Sequence, residues 1–496
     1  MRSANCSPRP RPDPAEQAPL REARSPCRSG APPRARPGTR GSPPRHPRPR
    51  TSPVWVSVSH MSETSASAPA AVPAAPVKKR TVFAWSLWDW GSASFNAVVT
   101  TFVFSVYITG DAFGPEQQTT TRLGTALLIA GIVVAVLAPV IGRLTDAAGR
   151  RKSWLALTTA VVVLCTALMA LVAPAEQYLL LGLVLLAVGN VAFELASVSY
   201  NAMLGQVSTN ANVGRVSGFG WGMGYLGGIV LLAILLVGFI FPEVGWFGVT
   251  SEGAWNVRIA MLVSAVWFGV FAIPVFFAVP EIAAAPGPRR GLFTAYADVF
   301  RSIADLWRGA RHTLFFLIAS AVFRDGLAGV FTFGGVIAAR SFGFDNTTVI
   351  LFAICANVVA GIATILIGGF EDRLGAKPVM VWSIVLMVFC AMLVFVLHDL
   401  GAWVFWSFGL LLCIFVGPVQ SASRSYLARI IPPGREGEIF GLYATTGRAV
   451  TFMAPAAFTL AIALGGATIF GILGIAIVLL AGLLLLLPVR GRTTAA

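Results

Sequence analysis

Charged side chains are scarce in this chain. Only 12% of its 496 residues are Asp, Glu, Lys or Arg, against 56% apolar, and mean hydropathy is +0.75. So little charge cannot cover a water-facing surface, which excludes an ordinary soluble protein and leaves lipid as the main solvent. Cysteine and histidine are also few, six and four. Cys6 and Cys27 lie near the start and the other cysteines stand singly in apolar runs, without Cys-x-x-Cys spacing. Neither a disulfide framework nor a metal site is expected. No Gly-x-x-x-x-Gly-Lys-Ser/Thr occurs, which argues against a built-in ATP motor. Paired His, Ser/His and metal-ligand spacings are missing as well, so an enzyme is not expected, nor any cofactor.

The formal charge of +15 would suit nucleic-acid binding if it were spread over a fold, but residues 1–60 alone hold twelve Arg against three acids, or +9. That segment is rich in Pro, Arg, Ser and Gly and has no apolar run of signal-peptide length, so residues 1–80 read as a disordered basic cytoplasmic tail. Met61, followed by a Ser/Ala/Pro stretch and Lys78-Lys79-Arg80, reads as an internal start; the alternative is a basic tail resting on anionic lipid. No nucleic-acid partner and no obligate protein partner is expected.

What the chain has in abundance is apolar runs. A hydrocarbon core about 30 Å thick needs roughly 20 such residues per helix. Twelve candidate spans fall near 83–109, 122–141, 154–172, 178–199, 215–241, 256–279, 313–339, 347–368, 379–397, 402–424, 438–463 and 467–488. Lys and Arg near span ends stay cytoplasmic, and here they alternate with acidic loops. Arg150-Arg151-Lys152, Arg215, Arg289-Arg290, Arg373 with Lys377, Arg429 with Arg435, and Arg490 with Arg492 fall on one side; Asp111, Glu116, Glu176, Glu243, Glu252 and Asp399 fall on the other. Both termini are therefore expected in the cytoplasm, with residues 490–496 a short tail.

The longest internal connection, residues 280–312, divides the spans six and six, into bundles over 81–279 and 313–489. A repeat supports the division. Gly142-x-x-x-Asp146-x-x-Gly149-x-Arg151 recurs as Gly368-x-x-x-Asp372-x-x-Gly375-x-Lys377, and Ser197-x-Ser199-Tyr200 as Ser423-x-Ser425-Tyr426, both displaced by 226 residues. A shared offset is far less probable by chance than either match alone, and the halves are duplicated in the same orientation.

The loop Gly142-Arg143-Leu144-Thr145-Asp146-Ala147-Ala148-Gly149-Arg150-Arg151-Lys152 resembles the signature loop of the major facilitator superfamily. Its glycines permit a tight turn and close helix approach; Asp146 can accept from an Arg and sit against a helix N-terminus. Gly142, Asp146, Gly149, Arg150 and Arg151, with Asp372, Arg373 and Gly375 of the second copy, are expected to form a cytoplasmic gate, the plain alternative being a basic loop that only sets topology. A narrower resemblance runs from Trp85 to about Pro455. Leu87-Trp88-Asp89-Trp90-Gly91-Ser92-Ala93-Ser94-Phe95, Tyr200-Asn201-Ala202-Met203-Leu204, the glycine ladder Ser217 to Gly228, Phe323-Arg324-Asp325-Gly326, and Gln420 to Tyr426 with Ile431-Pro432, Glu436 and Phe440-Gly441-Leu442-Tyr443 are similar to the vacuole effluxer family. This resemblance implies an all-α polytopic fold of two pseudo-symmetric six-helix bundles and efflux of small solutes, amino acids first. Gly91, Gly205 and Arg324 depart from the family pattern, which bears on substrate more than on fold.

Charges inside spans single out the path. On insertion scales each costs roughly 2.5 to 3.5 kcal/mol at a helix centre, so it normally faces a watery cavity or a partner. Asp89, Glu194, Arg324, Asp325 and Arg448 lie within spans and Arg424 near the end of one. Asp89, Asp325 and Arg448 are expected to line the path, since the first, seventh and eleventh helices face the cavity in the superfamily; register-fixing ion pairs are the alternative. Arg324 and Asp325, about 100° apart on a helix, cannot both point inward, and Asp325 is the expected one. A carboxylate there would bind an ammonium or carry a coupling proton, and an Arg would grip a carboxylate. Ser92, Asn96, Asn201, Tyr225 and Gln420 are candidates for neutral recognition. The reading is a secondary transporter for a small-molecule substrate in a bacterial plasma membrane; a non-transporting membrane sensor on the same fold is the alternative, predicting no saturable flux.

Overall fold

Twelve helices in this computed structural model, which describes residues 78–281, 292–432 and 434–490, are long and apolar enough to cross a membrane. They are Lys79–Ile108, Glu116–Ala148, Arg151–Leu171, Glu176–Ala202, Val213–Ile240, Glu252–Ala278, Arg311–Phe342, Thr347–Leu374, Ala376–Val396, Ala402–Ile430, Glu436–Gly465 and Thr468–Leu486. The first helix starts at Lys79, so the expected tail boundary at residue 80 is shifted inward. The rest of that tail, residues 282–291 and residues 491–496 lie outside the described residues.

Two apolar cores organise the helices. One gathers residues of the first, third, fourth, fifth and sixth spans around Trp85, Phe95, Phe104 and Phe268. The other gathers the second half around Phe316, Phe323, Phe440 and Leu479, and it also takes in Val134, Ala138 and Val140 of the second span. The second span thus packs across the boundary onto the eleventh, as the fifth packs onto the eighth. Both crossings depend on glycine. A Cβ on Gly142 would run into the carbonyl of Gly437, and one on Gly218 would lie 2.9 Å from Cα of Gly368. Such backbone proximity is how membrane helices gain packing energy without a hydrophobic effect between them.

Several spans carry irregular turns, and two of these bear on the site. The first turns π-helical over Phe95–Phe102, with Val103 N–H donating to the Val98 carbonyl at 3.0 Å. The eleventh breaks after Ala449 and resumes at Met453. Irregular backbone at membrane depth is tolerated where it lines a cavity or is buried in protein, and π-turns concentrate at functional sites. The connection between halves carries a helix that the sequence reading did not assign, Leu292–Gly309. It is amphipathic: Val299 and Leu306 are buried, while Arg301, Asp305 and Arg308 are exposed. It lies along the second span, where the Tyr296 hydroxyl donates to the Val136 carbonyl at 3.3 Å.

Candidate functional site

A cavity of about 500 Å³ lies between the bundles, lined by residues of the first, fourth, fifth, seventh, eighth, tenth and eleventh spans. Its charged floor joins the two halves. Arg424, from the tenth span, is 3% exposed and reaches into the first bundle. There Nη1 donates to Asp89 Oδ2 at 3.3 Å and to Asn201 Oδ1 at 3.2 Å, while Nε and Nη2 donate to the Ser217 hydroxyl (3.0 Å) and carbonyl (2.7 Å). Asp89 also accepts from the Tyr200 hydroxyl at 2.8 Å. The guanidinium lies 5.0 Å from the Trp85 ring centroid and 5.4 Å from that of Trp221, within cation–π range. Trp85 and Trp88 stack on Tyr200 at 4.4 and 4.3 Å. Each charge is therefore answered in a medium that would penalise it alone.

Ser92, Asn96, Asn201 and Tyr225 line the same cavity, with Asn96 exposed at the π-helical stretch. Gln420 is not among the lining residues; it sits behind Tyr225, donating to its hydroxyl at 3.4 Å.

Three calls on the charged residues need correction or refinement. Asp325 does not point inward: it is 7% exposed and accepts from the Ala454 N–H at 2.6 Å. The break in the eleventh span leaves the first N–H groups of its second segment without helical partners, and the neighbouring carboxylate caps them. Arg324 lines the cavity in its place. Arg448 does not line the path either; it forms an ion pair with Glu194, whose side chain does line the cavity, so this pair ties the fourth span to the eleventh.

Below the floor, at the end where the basic loops lie, two latches cross the boundary. Asp146 accepts from the backbone N–H groups of Gly437 and Glu438, both at 3.0 Å, at the start of the eleventh span, and from Arg151 Nε at 2.7 Å. Arg151 also donates to Glu436 at 2.6 Å. In the second copy Asp372 accepts from the N–H groups of Gly214 (2.7 Å) and Arg215 (3.0 Å), at the start of the fifth span. Each carboxylate thus sits at the positive end of a helix of the opposite bundle. Gly149, at φ 62°, and Gly375, at φ 89°, make the turns that follow the latch acids, a conformation side chains resist. Arg150 and Arg373 are exposed and form no ion pair among the described residues. The opposite rim of the cavity is accessible: Asn96, Thr101 and Phe102 are exposed.

Sequence reasoning missed the aromatic surround of Arg424, because Trp85, Trp88 and Trp221 enter it only as parts of the family-like segments, with no role of their own. It also missed Glu371 and Arg429. Arg429 bridges Glu371 (3.0 Å) and Asp372 (3.1 Å), and Ser425 donates to Glu371. The only signal was Glu371 beside the repeated Asp372.

Comparison with known proteins bears on the family and the fold. Residues 123–495 match the family described as "Vacuole effluxer Atg22 like", and residues 7–231 match the Major Facilitator Superfamily. An uncharacterised MFS-type transporter, YxiO of Bacillus subtilis (strain 168), is 26% identical over 83% of this chain and 95% of its own length. Autophagy-related protein 22 of Cryptococcus neoformans is 27% identical over 56% of this chain, which spans about half (52%) of that relative. Among solved structures, the proton:xylose symporter XylE superposes with a TM-score of 0.63 at 12% identity, covering 82% of this chain and 93% of the symporter. The human organic anion transporter MFSD10 superposes with a TM-score of 0.64 at 14% identity, covering 82% and 99%. These likenesses show the fold of an integral, multi-pass membrane transporter, and the long profile match places the chain in the Atg22-like vacuole effluxer family of the major facilitator superfamily.

Proposed function

We propose that this chain is a secondary active transporter that exports small polar solutes, amino acids foremost, across a bacterial plasma membrane by alternating access. The observation that carries the reading is the Asp89–Arg424 pair, contributed by opposite bundles to the floor of a central cavity that is latched at one end and accessible at the other. A solute bearing ammonium and carboxylate groups can exchange partners with such a pair. Asp89 accepts the ammonium, Arg424 donates to the carboxylate, and the link between bundles is replaced by links through the solute. Binding energy is thereby coupled to the separation of the halves, as two rigid six-helix units rocking about a midplane site require. The positive-inside pattern puts the latched end in the cytoplasm, making this an outward-open arrangement. The family's name supports efflux. Protonation of Asp89 would also release Arg424, which gives proton coupling a place to act.

The test is flux of a labelled amino-acid mixture through proteoliposomes, with and without an imposed pH gradient, for the intact chain and Asp89→Asn. Saturable, gradient-sensitive flux lost in the variant supports the reading. No flux above empty liposomes, with the protein folded, removes amino acids from it and favours a sensor or scaffold role.

A further inference from the structure

The cavity carries one positive charge that no carboxylate among the described residues answers. Four acidic or basic side chains line it: Asp89, Glu194, Arg324 and Arg424. Asp89 is paired with Arg424 and Glu194 with Arg448. Arg324 pairs with no carboxylate among the described residues. Its guanidinium is held on one side, by donation from Nη1 to the Tyr443 carbonyl at 3.2 Å and by the Tyr443 ring, whose centroid is 3.8 Å from the guanidinium carbon. Its other N–H groups have no described acceptor. The carboxylate that would neutralise it most easily, on adjacent Asp325, is committed to the Ala454 N–H. Tyr443 is itself braced, its hydroxyl 2.8 Å from the Ser423 hydroxyl. The result is a planar donor fork, fixed from behind and open to the cavity, within a membrane span, where an unanswered charge marks a substrate path.

We infer that Arg324 is the docking point for a substrate carboxylate, and that the cavity prefers solutes with one net negative charge, acidic amino acids over neutral and basic ones. The choice of amino acids rests on the function proposed above; the charge preference does not. A neutral zwitterion that exchanges partners with the Asp89–Arg424 pair leaves Arg324 without a carboxylate. An acidic amino acid brings a second carboxylate and leaves the site neutral.

The experiment is counterflow exchange in proteoliposomes containing the full chain, with labelled L-glutamate, L-leucine, L-lysine and L-lactate offered separately, for the intact protein, Arg324→Gln and Arg324→Lys. Thermal unfolding with each solute serves as a binding readout. The intact protein is expected to prefer glutamate to leucine and lysine. Arg324→Gln should raise the half-saturating glutamate concentration about 10- to 100-fold, the loss of one or two charge-assisted hydrogen bonds, and shift preference toward leucine. Arg324→Lys should retain part of the affinity, because it keeps the charge without the fork. Leucine and glutamate exchanged equally by the intact protein, or glutamate exchange indifferent to Arg324→Gln, would overturn the inference and leave amino-acid transport standing. Arg324-dependent lactate exchange without amino-acid exchange would do the reverse. If Arg324→Gln fails to fold, the melting shift of the intact protein with glutamate against leucine decides.

Discussion

In the first half of the molecule, Asp146 caps the eleventh span and is held by Arg151, five residues along in its own loop; in the second half, Asp372 caps the fifth span and is held by Arg429, brought in from the tenth. The repeat puts Lys377 where Arg151 stands, yet Lys377 does not reach the latch. Its ammonium donates to the carbonyls of Leu487 (2.7 Å) and Val489 (2.6 Å) at the end of the twelfth span. A guanidinium fork can grip Asp146 and Glu436 together, whereas a compact ammonium suits the carbonyls at a helix C-terminus. The repeat also sets Glu371 against Thr145, whose hydroxyl donates to the Gly142 carbonyl at 2.7 Å. The extra acid of the second copy is matched by its extra Arg. A further asymmetry lies at Arg143, which binds Glu438 (2.9 Å), Asp298 (3.4 Å) and Ser302 (2.9 Å) and so joins the first latch to the linker helix; Gly369 occupies the repeat position in the second. The cap is thus the shared device, while its counterion is supplied differently in each half.

If this is right, the two latches should break unequally. Asp146→Ala has the largest expected effect, about 3–5 kcal/mol, because it removes two backbone caps and strips a buried Arg151 of its main partner. It should abolish hydrogen-exchange protection at residues 436–440 and lower the melting temperature in nanodiscs. Asp372→Ala should cost less, about 1–3 kcal/mol, with exchange loosened at residues 213–217, since Glu371 keeps Arg429 paired. Arg151→Lys is expected to cost about 1.5 kcal/mol, one charged hydrogen bond, and Lys377→Arg less, a reversal of which in the same melting assay would break the proposed division of labour. The smallest effect belongs to Arg143→Ala, about 1 kcal/mol, because Glu438 keeps Arg435 and Asp298 keeps Arg301. It should nonetheless speed exchange in the linker helix.

The spans and the duplication were legible because both are written in runs of about 20 apolar residues and in a shared offset. Asp146 and Asp372 were legible as latch acids from their glycine-bounded loops. Their partners were not, since Gly437 and Gly214 belong to distant helices whose approach depends on packing. The choice between Arg324 and Asp325 went the wrong way for a definite reason. Adjacency said that only one would face the cavity, but the deciding feature is the break at residues 450–452, one turn before Pro455, which has no N–H to give the Thr451 carbonyl; the sequence reading did not draw on that proline. The linker helix was hidden because its apolar residues are interrupted by Asp298, Arg301, Asp305 and Arg308 and never form a run of span length.

The most direct test of alternating access is a pair of spin-label distances in nanodiscs, one between positions 150 and 373 at the latched end and one between 111 and 399 at the other, all four exposed. With both latches removed by Asp146→Ala and Asp372→Ala, the 150–373 distance should lengthen while 111–399 shortens. Distances that stay fixed, or that move in the same direction, would contradict a rocking transporter.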